Sequence, residues 1–427
     1  MPLPTALRAL HSRNYRLFVA GQVISLVGTW MQSVAQSWLI YRLTGSAALL
    51  GLIGFAGQIP IFVLAPLGGV IADRLNRHRV LIATQGTMMV LAVILAALTL
   101  GGLVHQWHIF FLATLLGIAN AFDIPTRQAF LAETVSRENM INAIALNSSL
   151  LNGARIVGPA IAGLVVAAFG EGWCFLLNAI SYIAVIGALL MMDVSMAPHP
   201  HAHVSAWESI VEGFAYSWNA KPVRALLLLL GLVSLMGMPY SVLMPIIAAG
   251  VLHGGPNAYG LLMSASGVGA LAGAVLLTFR RHIHGLGRWV AISAVSFGIS
   301  LIAFSFSRVL WLSALLLVPA GFFMMVEMAA SNTLIQSMIP NRLRGRVMSV
   351  YSMMFMGMAP VGALVAGALA APLGAAATVA LGGAICTAGG VLFGVGLPRF
   401  RGPARELIIA QQLAAGSPAE EASPLQE

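Results

Sequence analysis

Gly117-Ile-Ala-Asn-Ala-Phe-Asp123-Ile-Pro-Thr-Arg127 and Gly321-Phe-Phe-Met-Met-Val-Glu327-Met-Ala-Ala-Ser331 are one stretch met twice. Sliding the chain by 204 residues (327 − 123 = 204) superposes them without a gap and lays Trp107 on Trp311 and Ser148 on Ser352. The same offset carries Gly153, Gly158, Gly163 and Gly170 onto Gly357, Gly362, Gly367 and Gly374. In a chain of 427 residues that offset means a unit built twice. Asp123 and Glu327 become symmetry mates, each a carboxyl in strongly apolar surroundings.

Those surroundings set the fold class. A mean hydropathy of +0.91 with only 8% charged residues excludes a soluble domain, because too little polar surface exists to cover one. Apolar stretches long enough to span a bilayer recur along the chain. They read as twelve helices, near 14–40, 46–72, 80–102, 107–130, 143–168, 171–192, 223–249, 256–280, 288–306, 309–334, 347–371 and 374–397. The expectation is an all-α membrane protein of twelve transmembrane helices in two pseudo-symmetric six-helix halves. Residues 1–192 form the N-terminal half, 193–222 a cytoplasmic linker, 223–397 the C-terminal half and 398–427 a disordered tail. The first apolar segment is too long for a signal-peptide core and is expected to stay attached. Cys174 and Cys386 sit in apolar segments without zinc or redox spacing and read as packing residues.

A net charge of +9 raises the question of nucleic acid, and the placement of the charges answers it. Of the 22 Lys and Arg, all but Arg42, Arg155 and Arg308 fall on one side of the helix pattern. Positive residues concentrate on the cytoplasmic side of membrane proteins, so both termini are expected inside and no nucleic-acid partner is expected. In the linker, His199, His201 and His203 lack a nearby carboxylate or thiol, which favours a solvated tract over a metal site. Ser205 and Glu208 fit a capping box. Behind it, Trp207, Ile210, Val211, Phe214 and Trp218 recur at helical spacing, as in an amphipathic helix lying on the leaflet.

Polar groups within the spans narrow the function. Gln22, Ser25, Thr29, Gln32 and Gln36 fall at spacings of three and four on helix 1, one stripe that should face protein or a water-filled cavity rather than lipid. Either interhelical hydrogen bonding or a substrate-cavity wall explains it, and five aligned groups favour the wall. Arg127 stands one turn from Asp123, and Arg155 of helix 5 leans back toward the same depth. A charge cluster of Asp123 with one or both arginines is therefore expected. Glu327 has Ser331 and Ala359 at the mate positions of those arginines. With no cation to hold it ionised, Glu327 is the better proton carrier and Asp123 the structural ion pair. Met324, Met325 and Met328, with Met354 and its neighbouring methionines on helix 11, offer soft surface for varied apolar ligands.

Three further stretches carry a resemblance. Gly69-Val-Ile-Ala-Asp73-Arg74-Leu-Asn76-Arg77-His-Arg79 resembles the signature gating loop of the major facilitator superfamily, with Asn76 in place of a glycine. Gly69 is expected to allow close helix approach, and Asn76 to tolerate the left-handed backbone of a tight turn. Ala154-x-x-x-Gly158-Pro159-Ala-Ile-Ala162-Gly163 is similar to the helix 5 motif of drug exporters, its proline removing a donor and bending the helix. Arg13-Asn-Tyr-Arg-Leu-Phe, Gly28-Thr-Trp-Met-Gln32 and Asp123-Ile-Pro-Thr-Arg127-Gln128 resemble the exporter group that includes enterobactin and macrolide efflux proteins. The resemblance implies the major facilitator fold and a monomer in the bacterial inner membrane. It also implies export of amphipathic small molecules, drug-like or siderophore, in exchange for protons and by alternating access. An importer or uniporter, or a receptor that does not transport, is the alternative. Enzymatic function is not expected, since no nucleophile–base pair, phosphate loop, metal motif or cofactor motif occurs.

Overall fold

The computed structural model of the chain describes residues 5–193, 206–279 and 285–414. Among them, twelve helices are long and apolar enough to cross a membrane. Helix α1 (Arg13–Thr44) starts where the Ser12 hydroxyl accepts the Tyr15 N–H, and ends at Gly45 in the left-handed region. Ser46 caps α2 (Ala47–Arg74) in the same way, and Asn76 caps α3 (Arg77–Leu100) by accepting from the Arg79 N–H. Next come α4 (Gln106–Glu133), α5 (Met140–Phe169) and α6 (Glu171–Leu190). A shorter α7 (Ala206–Asn219) precedes α8 (Lys221–Val251), α9 (Pro256–Phe279) and α10 (Leu286–Phe306). The last three are α11 (Leu310–Met338), α12 (Asn341–Leu373) and α13 (Ala375–Ala414).

The repeat holds down to single turns. Helices α4 and α11 begin 204 residues apart (310 − 106), and so do α6 and α13 (375 − 171). Gly170 and Gly374, mates under that offset, join their helices with φ of 89° and 83°. A side chain there would be strained, so glycine recurs for a backbone reason.

Several helix ends, those of α1, α4, α8 and α11 among them, run past those read from hydropathy, because polar turns at the membrane surface remain helical. The largest correction is at the C-terminus, where α13 continues to Ala414, so residues 398–414 are helix rather than disordered tail. Ala404, Arg405, Glu406, Leu407 and the residues after them are good helix formers, enough to carry the helix past Pro398 and Pro403. Residues 415–427 lie outside the described residues, as do His199, His201, His203 and Ser205. Helix α7 exists, and Val211, Phe214 and Trp218 form an exposed apolar face on it. On its other side the Tyr216 hydroxyl donates to the Met338 carbonyl at 2.9 Å, and Glu212 pairs with Arg346.

The chain divides into two compact units, one of residues 1–202 with Val242–Gly267, the other of His203–Ser241 with 268–427. The units therefore do not break where the sequence repeat does. In the first, Gly163 of α5 meets the Pro256 carbonyl and Gly260 of α9 at distances a side chain would close. Helices α2 and α4 approach as closely, since a Cβ on Gly68 would stand 2.1 Å from the Ala121 carbonyl oxygen. A Cβ on Gly69, the glycine expected to provide that approach, would meet nothing on a neighbouring helix within 4 Å. The face of α2 turned to α4 is one residue earlier in the helix. Gly68→Val should accordingly destabilise the protein by about 1–3 kcal/mol through overpacking, while Gly69→Val should leave its melting temperature nearly unchanged. Equal melting temperatures for the two variants would sink this assignment.

A polar cavity and two buried carboxylates

Within the first unit a cavity of about 280 Å³ is walled by α1, α2, α3, α4 and α6. Ser25, Thr29, Gln32 and Gln36 of the α1 stripe line it, joined by Ser33 and Ser37. The fifth stripe residue, Gln22, is buried and accepts a hydrogen bond from Arg127 Nη1 at 3.1 Å. Gln32 does both jobs, since it lines the cavity and accepts from Asn178 Nδ2 at 2.7 Å. The stripe is thus part wall and part interhelical bonding.

Asp123, 1% exposed, lies ten residues from the Glu133 end of α4 (133 − 123), or about 15 Å at the helical rise. That is deeper than hydropathy suggested, because α4 ends three residues beyond the 130 read from sequence. Its Oδ1 accepts from the Thr84 hydroxyl at 2.9 Å and from Gln85 Nε2 at 2.8 Å. Arg127 Nε stands 3.5 Å from Oδ2. A buried carboxylate so surrounded has its charge compensated and its lone pairs occupied. The amide of Gln85 is held donor-first by Asp123, and its Oε1 is a buried acceptor with no hydrogen-bond partner.

Arg155 does not join this cluster. Its guanidinium lies over the ring of Trp30, 5.8 Å from the centroid, where Gly158 lets α5 press against α1. A Cβ on Gly158 would come within 2.5 Å of Trp30 Cβ. Pro159, buried beside it, sits inside an unbroken helix.

Glu327 of the second unit is equally buried at 1% but has far fewer partners. The Ser331 hydroxyl donates to its Oε1 at 3.3 Å, and among the described residues no cation pairs with it. The symmetry mates therefore differ in chemistry as well as position. Met324 is buried in α11, Met328 is half-buried, and Met354 packs its sulfur 3.1 Å from where a Cβ on Gly231 would be.

In the loop between α2 and α3, Arg77 is the hub. Its Nε donates to the Ala72 carbonyl at 2.8 Å, and its Nη2 stands 3.2 Å from Asp73 Oδ1. Its Nη1 pairs with Glu133 at the end of α4. Arg74 and Arg79 are exposed. Asn76 does not adopt a left-handed backbone, for its φ is −64° and its side chain serves as the α3 cap. The turn closes through capping rather than through a glycine-like conformation.

Several contributors were missed in sequence, namely Thr84 and Gln85 on α3, Asn120 on α4 and Asn178 on α6. Each is an isolated polar residue in an apolar helix, and the cost of a polar group at that depth was the signal available.

Twelve spanning helices among the described residues and a 204-residue repeat have the architecture of the major facilitator fold. Residues 4–410 match the family of transmembrane secretion effectors in the major facilitator superfamily, and the chain belongs to that family. It is 26% identical to the staphyloferrin A transporter of Staphylococcus aureus, over 82% of this chain and 87% of that one. It is 28% identical to the multidrug efflux pump Tap of Mycolicibacterium fortuitum, over 82% of this chain and 88% of the relative. The solved structure of the nucleoside transporter NupG superposes with a TM-score of 0.70 at 13% identity, covering 90% of this chain and 98% of that one. That likeness speaks to the fold. The protein is a multi-pass protein of the bacterial plasma membrane.

Proposed function

We propose that this transporter exports amphipathic small molecules in exchange for protons, by alternating access of its two halves and with both termini in the cytoplasm. Relatives named for staphyloferrin A transport and multidrug efflux support the direction and the substrate range. The observation that carries proton exchange is the inequality of the mates. Among the described residues, Asp123 holds Arg127, Thr84 and Gln85, whereas Glu327 holds only Ser331. A carboxyl without a fixed counter-charge can gain and lose a proton as its surroundings alternate between dry and wet. The polar cavity supplies hydrogen bonds to the polar end of a substrate. Proteoliposomes loaded with a fluorescent amphipath test the reading. Counterflow should occur without a gradient, and a pH gradient should drive net efflux. No substrate movement under either condition would overturn it.

The loop at Arg77 acts as a latch on the cytoplasmic ends of α2 and α4 in this scheme. Arg77→Ala removes its bonds to Ala72, Asp73 and Glu133 and should slow transport while membrane abundance stays normal. Wild-type rates at equal abundance would remove the latch role.

A further inference from the structure

Arg155 stands midway along α5 (Met140–Phe169), half-buried, at a depth where an uncompensated charge is costly. Three other arginines of the first unit have a carboxylate partner. Asp123 faces Arg127, Glu171 takes the Arg42 guanidinium at 2.7 Å, and Glu133 takes Arg77. Among the described residues no carboxylate and no hydrogen-bond acceptor reaches the guanidinium of Arg155, whose one close partner is the Trp30 ring. An indole is neutral. It attracts the cation through its face but leaves the charge uncompensated and the in-plane N–H donors unused. A stacked guanidinium with free edges has the geometry that grips a planar carboxylate through two parallel hydrogen bonds. The ring beneath it offers an apolar surface to whatever the carboxylate is attached to. Gly158 and the close contact of α5 with α1 hold the two side chains together, so the site is preformed.

We infer that Arg155 on Trp30 is the docking point for the anionic head of the transported molecule. The substrate class is then amphipathic carboxylic acids rather than lipophilic cations. This rests on the exporter reading above and sharpens it.

The test uses the full chain in vesicles of zwitterionic phosphatidylcholine, so that no anionic lipid competes. Three probes share one apolar body: biphenyl-4-carboxylate, its methyl ester and the biphenyl trimethylammonium cation. Equilibrium binding and gradient-driven efflux are measured for each. The acid should bind about tenfold more tightly than either of the others. Arg155→Gln should erase that preference, Arg155→Lys should keep part of it, and melting temperatures report whether each variant is folded. Should Arg155→Gln not fold, the wild-type ranking and the Lys variant decide. Failure of the acid to bind, an ester or cation that binds as well, or a preference that survives Arg155→Gln overturns the inference. If ester or cation is exported and the acid is not, the inference fails while the exporter reading stands. If none of the three moves, both fall.

Discussion

Glu327→Gln is expected to abolish transport driven by a pH gradient while leaving substrate binding and exchange intact. The amide has nearly the shape of the protonated carboxyl, so the buried site and its Ser331 contact can persist. It cannot release a proton, so the step that ties substrate movement to the gradient is lost. For each proton exchanged, one pH unit of gradient contributes about 1.4 kcal/mol, a tenfold concentration ratio of substrate. The variant should forfeit that factor for every unit applied, and counterflow should proceed near the wild-type rate. Efflux measured at a series of imposed gradients, alongside counterflow, reads both quantities. Undiminished gradient dependence would remove Glu327 from the proton path.

Asp123→Asn should fail differently, through stability. It leaves the Arg127 guanidinium without its carboxylate and turns an amide donor toward it, although Thr84 and Gln85 can still donate to the remaining oxygen. Breaking a buried ion pair from one side costs about 3–5 kcal/mol, and the lower end applies because the Arg127 side chain is 25% exposed and can turn toward water. The melting temperature of the purified variant should fall clearly, or the variant should be trapped in one conformation with exchange lost too. Thr84→Val, which removes one neutral donor, should cost only about 1 kcal/mol and serves as the scale. Should Asp123→Asn keep its melting temperature and lose only gradient coupling while Glu327→Gln keeps it, the roles of the mates are reversed.

The fold was largely legible in the sequence because hydropathy and the 204-residue repeat are both properties of the chain in one dimension. The Gly170–Gly374 pair shows how deep that goes, since a backbone requirement fixes the residue type. The site was legible only in part. Asp123, Arg127 and the α1 stripe announced themselves as charges or as a periodic row, and the structure brings Asp123, Arg127 and Gln22 together. Helical periodicity states which residues share a face but not which neighbour that face meets. Hence Asp123 is paired by Arg127 alone of the two expected arginines while Arg155 lies on Trp30, and the approach expected of Gly69 is made by Gly68. Gln85 and Asn178 were missed for the same reason, since one amide in an apolar helix has no pattern until its partner on another helix is known.

Because residues 242–267 pack with the first 202, the first compact unit cannot be completed in the order in which the chain is synthesised. When α6 leaves the ribosome, the small-residue face of α5 around Gly163 still lacks Pro256 and Gly260. That face must wait in the bilayer until about seventy further residues of nascent chain have followed (260 − 190 = 70). A gene cut after residue 202 would thus yield a fragment whose insertion is complete but whose packing is not. Its two products would have to meet in the membrane before either reached its native stability.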